Sequence, residues 1–109
     1  MINSKNKGVK FELQVIKKLK EVLKTDNIKS TRSQNRQLDS EKVDICGDVP
    51  FNFQCKATES LPQVHKIFDE INRDKPPIII WKKNNKRQIV IMEADTFYKL
   101  IIDFINKID

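Results

Sequence analysis

The stretch Val43–Lys56, VDICGDVPFNFQCK, constrains the fold more than any other part of the chain. It reads as two short strands joined by a tight turn. Val43 to Cys46 alternates apolar and polar residues, and Phe51 to Ala57 alternates again, with the period of a strand. Between them stand Gly47, Asp48 and Pro50, three turn formers that act through different backbone properties. In the second strand Phe51, Phe53, Cys55 and Ala57 share one face, and Asn52, Gln54 and Lys56 share the other. Asp44 is the one acid of the first strand, set between two β-branched residues. An aspartate, an amide and a lysine on one side of such a hairpin suit a divalent cation and an activated water.

A chain of 109 residues is long enough for one domain around one core, so a single domain over 1–109 is expected. The formal net charge of +6 favours a polyanionic partner, nucleic acid first and an anionic membrane surface second. The longest apolar runs, such as Ile78 to Trp81, are far too short to span a bilayer, and the N-terminus has no apolar signal-peptide region. A cytoplasmic protein that does not enter membranes is therefore expected. Cys46 and Cys55 fall on different faces of adjacent strands, which makes them free core thiols of a reducing compartment.

Met1 to Lys7 is polar, with Ser4 as a candidate helix cap. From Gly8 or Val9 to about Lys24 the helical period is clear, and Val9, Phe11, Leu13, Val15, Ile16, Leu19, Val22 and Leu23 form an apolar arc. Glu12 falls near the middle of that arc. A carboxylate buried there has to be protonated, paired or bound to a metal, because an unpaired one costs several kcal/mol by rough estimate. The other possibility is a first-turn acid that serves the helix dipole and bends out to solvent. Ile28 to Ser33 is expected to form a strand, and Gln34 to Glu41 a polar loop. Arg32, in the strand-like segment, and Arg36, in the loop, either touch a substrate or belong to a solvated connection.

Ser60 and Pro62 signal the start of a second helix, about Leu61 to Arg73, with Leu61, Val64, Ile67, Phe68 and Ile71 as its apolar stripe. His65, the only histidine, has no second ligand at metal spacing and reads as a surface or boundary residue. Gln63 falls on the polar side, where it could approach a ligand. Ile78 to Trp81 reads as a buried strand and Gln88 to Met92 as its return. Lys82, Lys83, Lys86 and Arg87 mark the hairpin tip between them, as phosphate contacts or as solubilising charges. A last helix runs to about Lys107. Its apolar face, Phe97, Leu100, Ile101, Phe104, Ile105 and Ile108, either closes the core or forms a dimer surface. The expected fold is α/β of the α+β mixed kind, order αβββαββα, with a mixed sheet of about five strands flanked by helices on both faces.

On these residues the chain resembles the PD-(D/E)XK nuclease superfamily, and within it small phage-type endonucleases similar to Holliday junction resolvases. GVKFELQVIKKL resembles the opening helix with its inward acid, Glu12; STRS resembles the strand and loop that follow; VDICGDVPFNFQCK resembles the signature hairpin, with Asp44 as first acid and Lys56 as the lysine. KPPIIIWKK and IVIMEADTFYKLI resemble the later strands and closing helix. The likeness covers nearly the whole chain. It departs at Gln54, where the family usually carries Glu or Asp. The resemblance implies a restriction-endonuclease-like fold and a Mg²⁺-dependent DNA endonuclease, with Mn²⁺ able to substitute. It implies Glu12, Asp44, Gln54 and Lys56 as catalytic residues, with Glu12, Asp44, Gln54 and the Cys55 backbone carbonyl holding the metal. Arg32, Arg36 and the hairpin-tip cations Lys82, Lys83, Lys86 and Arg87 would hold DNA. No recognition helix is evident and phosphate contacts carry no sequence information, so branched DNA is the expected substrate. Symmetric cutting of two strands implies a homodimer. A nicking or homing-type enzyme and an inactive DNA-binding module are the alternatives.

Overall fold

Twenty residues without an internal proline make α1 (Ser4–Leu23) in the computed structural model, which describes residues 4–107. The helix starts at Ser4 rather than Gly8 or Val9, because the polar lead-in contains no helix breaker. The side chain of Ser4, the candidate cap, lies outside the described residues, as do Met1 to Asn3 and Ile108. Phe11, Glu12, Val15 and Ile16 are buried and Leu19 partly so. Leu13, Val22 and Leu23, expected on the same arc, are exposed. Leu13 falls about 60° outside the buried arc on the wheel, and Val22 and Leu23 stand in the last turn of a helix about 30 Å long, longer than the roughly 20 Å of a six-residue strand.

The five expected strands are β1 (Ile28–Ser30), β2 (Ile45–Gly47), β3 (Asn52–Ala57), β4 (Pro77–Lys82) and β5 (Ile89–Met92). They form two sheets rather than one. β1 and β2 pair antiparallel, with Ile28 opposite Gly47 and Ser30 opposite Ile45. β3, β4 and β5 form a three-stranded mixed sheet, β3 parallel to β4 and β4 antiparallel to β5. The expected β2–β3 hairpin is thus corrected: the two strands share no ladder. One backbone bond joins them, from Asp44 N to the Phe53 carbonyl at 2.8 Å. The Cys55 N–H, which a ladder would send to a carbonyl, goes instead to the Asp44 side chain. Val49, in the intended turn, is buried in the core and draws the connection away from β3.

Between β1 and β2 the chain is helical where a longer strand and a loop were expected. Ser30 caps α2 (Thr31–Gln34) by accepting from the Arg32 N–H, and Asn35 caps α3 (Arg36–Ser40) by accepting from the Leu38 N–H. Small polar residues at both starts satisfy the orphan amides of two short turns. Arg32 is therefore helical, not in a strand. α4 (Val64–Glu70) is shorter than the expected 61–73, since residues 60–63 are not helical and Ile71 is already extended. Ile71 is buried, and the next residue bonds back to the Glu41 carbonyl through its N–H. The last element, α5 (Ala94–Asn106), follows β5 directly.

Helices lie on both faces of the three-stranded sheet. One core cluster joins α1 to Ile28, Ile45, Val49, Phe53, Ile78 and Ile80. The other joins Ile67, Phe68 and Ile71 to Val43 and Ile79. Ile78 and Ile80 face one cluster and Ile79 the other, the period-two alternation of a strand buried on both sides. Phe53, Cys55 and Ala57 side with α1, as their spacing indicated.

Candidate functional site

Asp44 precedes β2, and its Oδ2 accepts the Cys55 N–H at 2.7 Å. Its carboxyl is pushed up to about 7. Loss of solvent is the main cause, with Glu12 and Asp39 adding repulsion; the Cys55 bond and Lys56 oppose the rise. Burial likewise pushes the Cys55 thiol well above its usual range, helped by the charges of Asp44 and Glu12. Neither cysteine is bridged, and an inert thiol is what such surroundings give.

Glu12 is 7 % exposed, so it does not bend out to solvent. Its Oε1 accepts from the Ser30 hydroxyl at 2.6 Å and from Arg32 Nε and Nη2 at 3.2 and 3.0 Å. Arg32, foreseen as a phosphate contact, is thus the ion-pair partner of the buried acid, although much of its side chain remains exposed. Ser30 was not foreseen. Its signal lay in the sequence only as an N-cap, not as a partner for an acid 18 residues away.

Gln54 and Lys56 point to the α4 side of β3, where they line an open cleft of about 320 Å³. Gln54 is buried, and its Oε1 has no hydrogen-bond partner among the described residues. A buried amide oxygen without a donor is costly and calls for a ligand. Lys42 and Lys66 line the same cleft beside Gln63, which gives it a basic lip around Lys56. Lys42 is also paired with Glu70 at 3.8 Å. Lys66 was missed, although its place three residues after Gln63 sets both on one face of a helix start.

The structure brings Asp44, Cys55, Gln54 and Lys56 together on two adjacent segments, and places Glu12 close enough to raise the Asp44 pKa. No hydrogen bond among the described residues joins Glu12 to Asp44, Gln54 or Lys56. Arg36 is exposed at the start of α3 and bonds to none of them. Lys82 is half-buried at the end of β4, opposite Ala57, and Lys83, Lys86 and Arg87 are exposed beyond it. The hairpin tip therefore lies past the Lys56 end of the sheet, where Glu59 accepts the Asn84 N–H. His65 is exposed, as expected.

These residues fit a hard cation, which prefers oxygen donors. Glu12 and the desolvated Asp44 repel one another, and Gln54, on the strand that bonds to Asp44, carries a buried amide oxygen without a donor among the described residues. Among the described residues no group of three or more His, Cys, Asp or Glu is placed to hold a metal. No helix among the described residues is long and apolar enough to cross a membrane. Comparison with known proteins finds no matching family model, no matching curated protein and no matching solved structure.

Proposed function

We propose that the chain is a divalent-metal-dependent DNA endonuclease of the PD-(D/E)XK kind, acting on branched DNA such as a four-way junction. The observation that supports this most is the Asp44 carboxylate, desolvated and held on β3 by the Cys55 N–H, on the strand that carries Gln54 and Lys56. The order helix, three strands, helix, strand agrees with the nuclease core, with two short helices inserted after β1. The Asp44–Phe53 bond allows β1-β2-β3-β4-β5 to be read as one interrupted layer, a restriction-endonuclease-like arrangement.

Mg²⁺ or Mn²⁺ held by Asp44, Glu12, Gln54 Oε1 and the Cys55 carbonyl would polarise a phosphate oxygen and acidify a water for attack on phosphorus. The chain's own residues do the rest. Asp44 and Glu12 supply the negative charge that the cation neutralises, and Ser30 and Arg32 fix the Glu12 carboxylate in place. Lys56 sets an ammonium where charge develops on the phosphate. Lys42 and Lys66 on the cleft wall, with the cations of the β4–β5 tip, hold the backbone by charge and read no sequence. Two strands cut symmetrically require two copies of the site.

The test is cleavage of a labelled four-way junction and a matched linear duplex with Mg²⁺ or Mn²⁺, comparing wild type with Asp44→Asn. Symmetric cuts in the junction, lost in the variant while DNA binding persists, are expected. A variant that cuts at the wild-type rate would sink the site assignment, and equal cutting of both DNAs would remove the junction preference.

One observation favours a second reading, a DNA-binding module that does not cut. The Glu12 Oε1 is already engaged by Ser30 and Arg32, and Gln54 brings no charge. Tight binding of DNA with no metal-induced rise in stability would select it, as would gain of cleavage in Gln54→Glu.

A further inference from the structure

α5 carries far more apolar surface than the domain covers. Phe97, Tyr98, Ile101, Ile102, Phe104 and Ile105 are 39–67 % exposed, whereas Thr96 is the only buried residue of the helix. The face expected to close the core does not close it: both core clusters are complete without a single α5 residue. On a helical wheel these residues and the half-buried Leu100 span about 200° of the circumference, well beyond the stripe one docking surface needs. Phe97, Ile101 and Phe104 follow the four-then-three spacing of a helix–helix seam.

We propose that α5 is the self-association surface of this protein and that its occupant is α5 of a second copy. Three observations single out that occupant. The exposed apolar area of the six side chains is on the order of 600 Å², so a symmetric pair buries at most about 1,200 Å², the lower bound of specific interfaces. The helix carries Asp95 and Asp103 against Lys99, a formal charge of −1, in a chain of net charge +6. Two copies therefore meet here without the repulsion that the rest of the surface imposes, and the face offers nothing to a phosphate backbone. An interfacial membrane helix carries a basic polar face, and this one does not. A two-fold pair needs only one self-complementary patch, which a uniformly apolar helix face provides. The association is independent of the cleavage chemistry.

The test is sedimentation velocity of the metal-free chain over a range of protein concentrations, with Phe104→Glu and Lys99→Glu as variants. Phe104 is 67 % exposed in the single chain, so its replacement spares the domain fold, which circular dichroism checks. Wild type and Lys99→Glu are expected to sediment as twice 12.8 kDa, and Phe104→Glu as the single chain. A monomeric wild type at about 100 µM, where interfaces of this size are normally populated, overturns the proposal. So does a dimer that Phe104→Glu leaves intact. Binding of a monomeric wild type to phosphatidylcholine–phosphatidylserine vesicles, lost in Phe104→Glu, would assign the face to lipid and overturn it as well. Nuclease assays do not enter these outcomes, so failure here leaves the site reading standing, and the converse holds.

Discussion

Asp44 carries an energetic cost that a cation can remove. Its carboxyl titrates near 7 in the folded chain against 3.8 ordinarily, mainly because burial strips its water. A raised carboxyl binds its proton more tightly when folded. Its contribution to stability is therefore complete below about pH 4 and is lost as pH rises through about 7. Above that the metal-free protein carries a constant penalty, on the order of 4 kcal/mol. Asp44→Asn keeps an acceptor for the Cys55 N–H and removes the charge. In EDTA, thermal melts are expected to show the variant several degrees more stable than wild type at pH 8, with little difference at pH 4. Mg²⁺ or Mn²⁺ should then raise the wild-type midpoint at pH 8 and leave Asp44→Asn unmoved. A variant less stable than wild type at pH 8 would mean that the carboxylate is structural. Glu12 shows what the sequence could convey about a single residue. Its place on the apolar arc left two possibilities, a buried acid in need of a partner or one bent out to solvent, and Ser30 and Arg32 could be named only once β1 and α2 had been laid beside α1.

The connection after β2 illustrates the scale of elements. Gly47 has φ +112°, and a Cβ placed there would sit 2.1 Å from the Asn27 carbonyl oxygen. Both strain and collision forbid a side chain, because the close approach is to backbone that cannot move aside. Gly47→Ala is expected to destabilise the chain by about 3 kcal/mol or more, read from the urea midpoint. A loss under about 1 kcal/mol would show that β1 and β2 separate easily. Here the turn residues were legible and the pairing was not. Alternation tells which face a residue takes, but not which strand lies beside it. β2 went to β1 and β3 to β4 because Val49 found a place in the core and β3 found the all-apolar Ile78–Ile80. The short α4 has the same origin: burial of Ile71 outweighed further helical turns.

At the scale of the molecule the positive charge is distributed unevenly. Lys83, Lys86 and Arg87 are exposed past the Lys56 end of the sheet, and Lys42 and Lys66 line the cleft on its α4 side. If these groups hold a DNA backbone, affinity should fall steeply with salt through counterion release. Replacing Lys83, Lys86 and Arg87 together by alanine is expected to flatten the slope of log K against log salt by about 2–3, measured by fluorescence anisotropy on a labelled junction. An unchanged slope would exclude the hairpin tip from the interface.

The sequence by itself determined the existence of α1, β3, β4, β5 and α5, the faces of β3, and the place of Glu12 on the apolar arc of α1, though not its burial. These follow from periods of 3.6 and 2, which are local properties of the chain. It also singled out Asp44, Gln54 and Lys56, because polar residues in apolar strands are visible without a fold. Only the tertiary structure decided that the strands form two sheets, that Arg32 serves Glu12, that the Gln54 oxygen is left without a donor, and that α5 stands clear of the core. Those outcomes depend on long-range contacts competing for a limited interior, and no local pattern ranks such contacts.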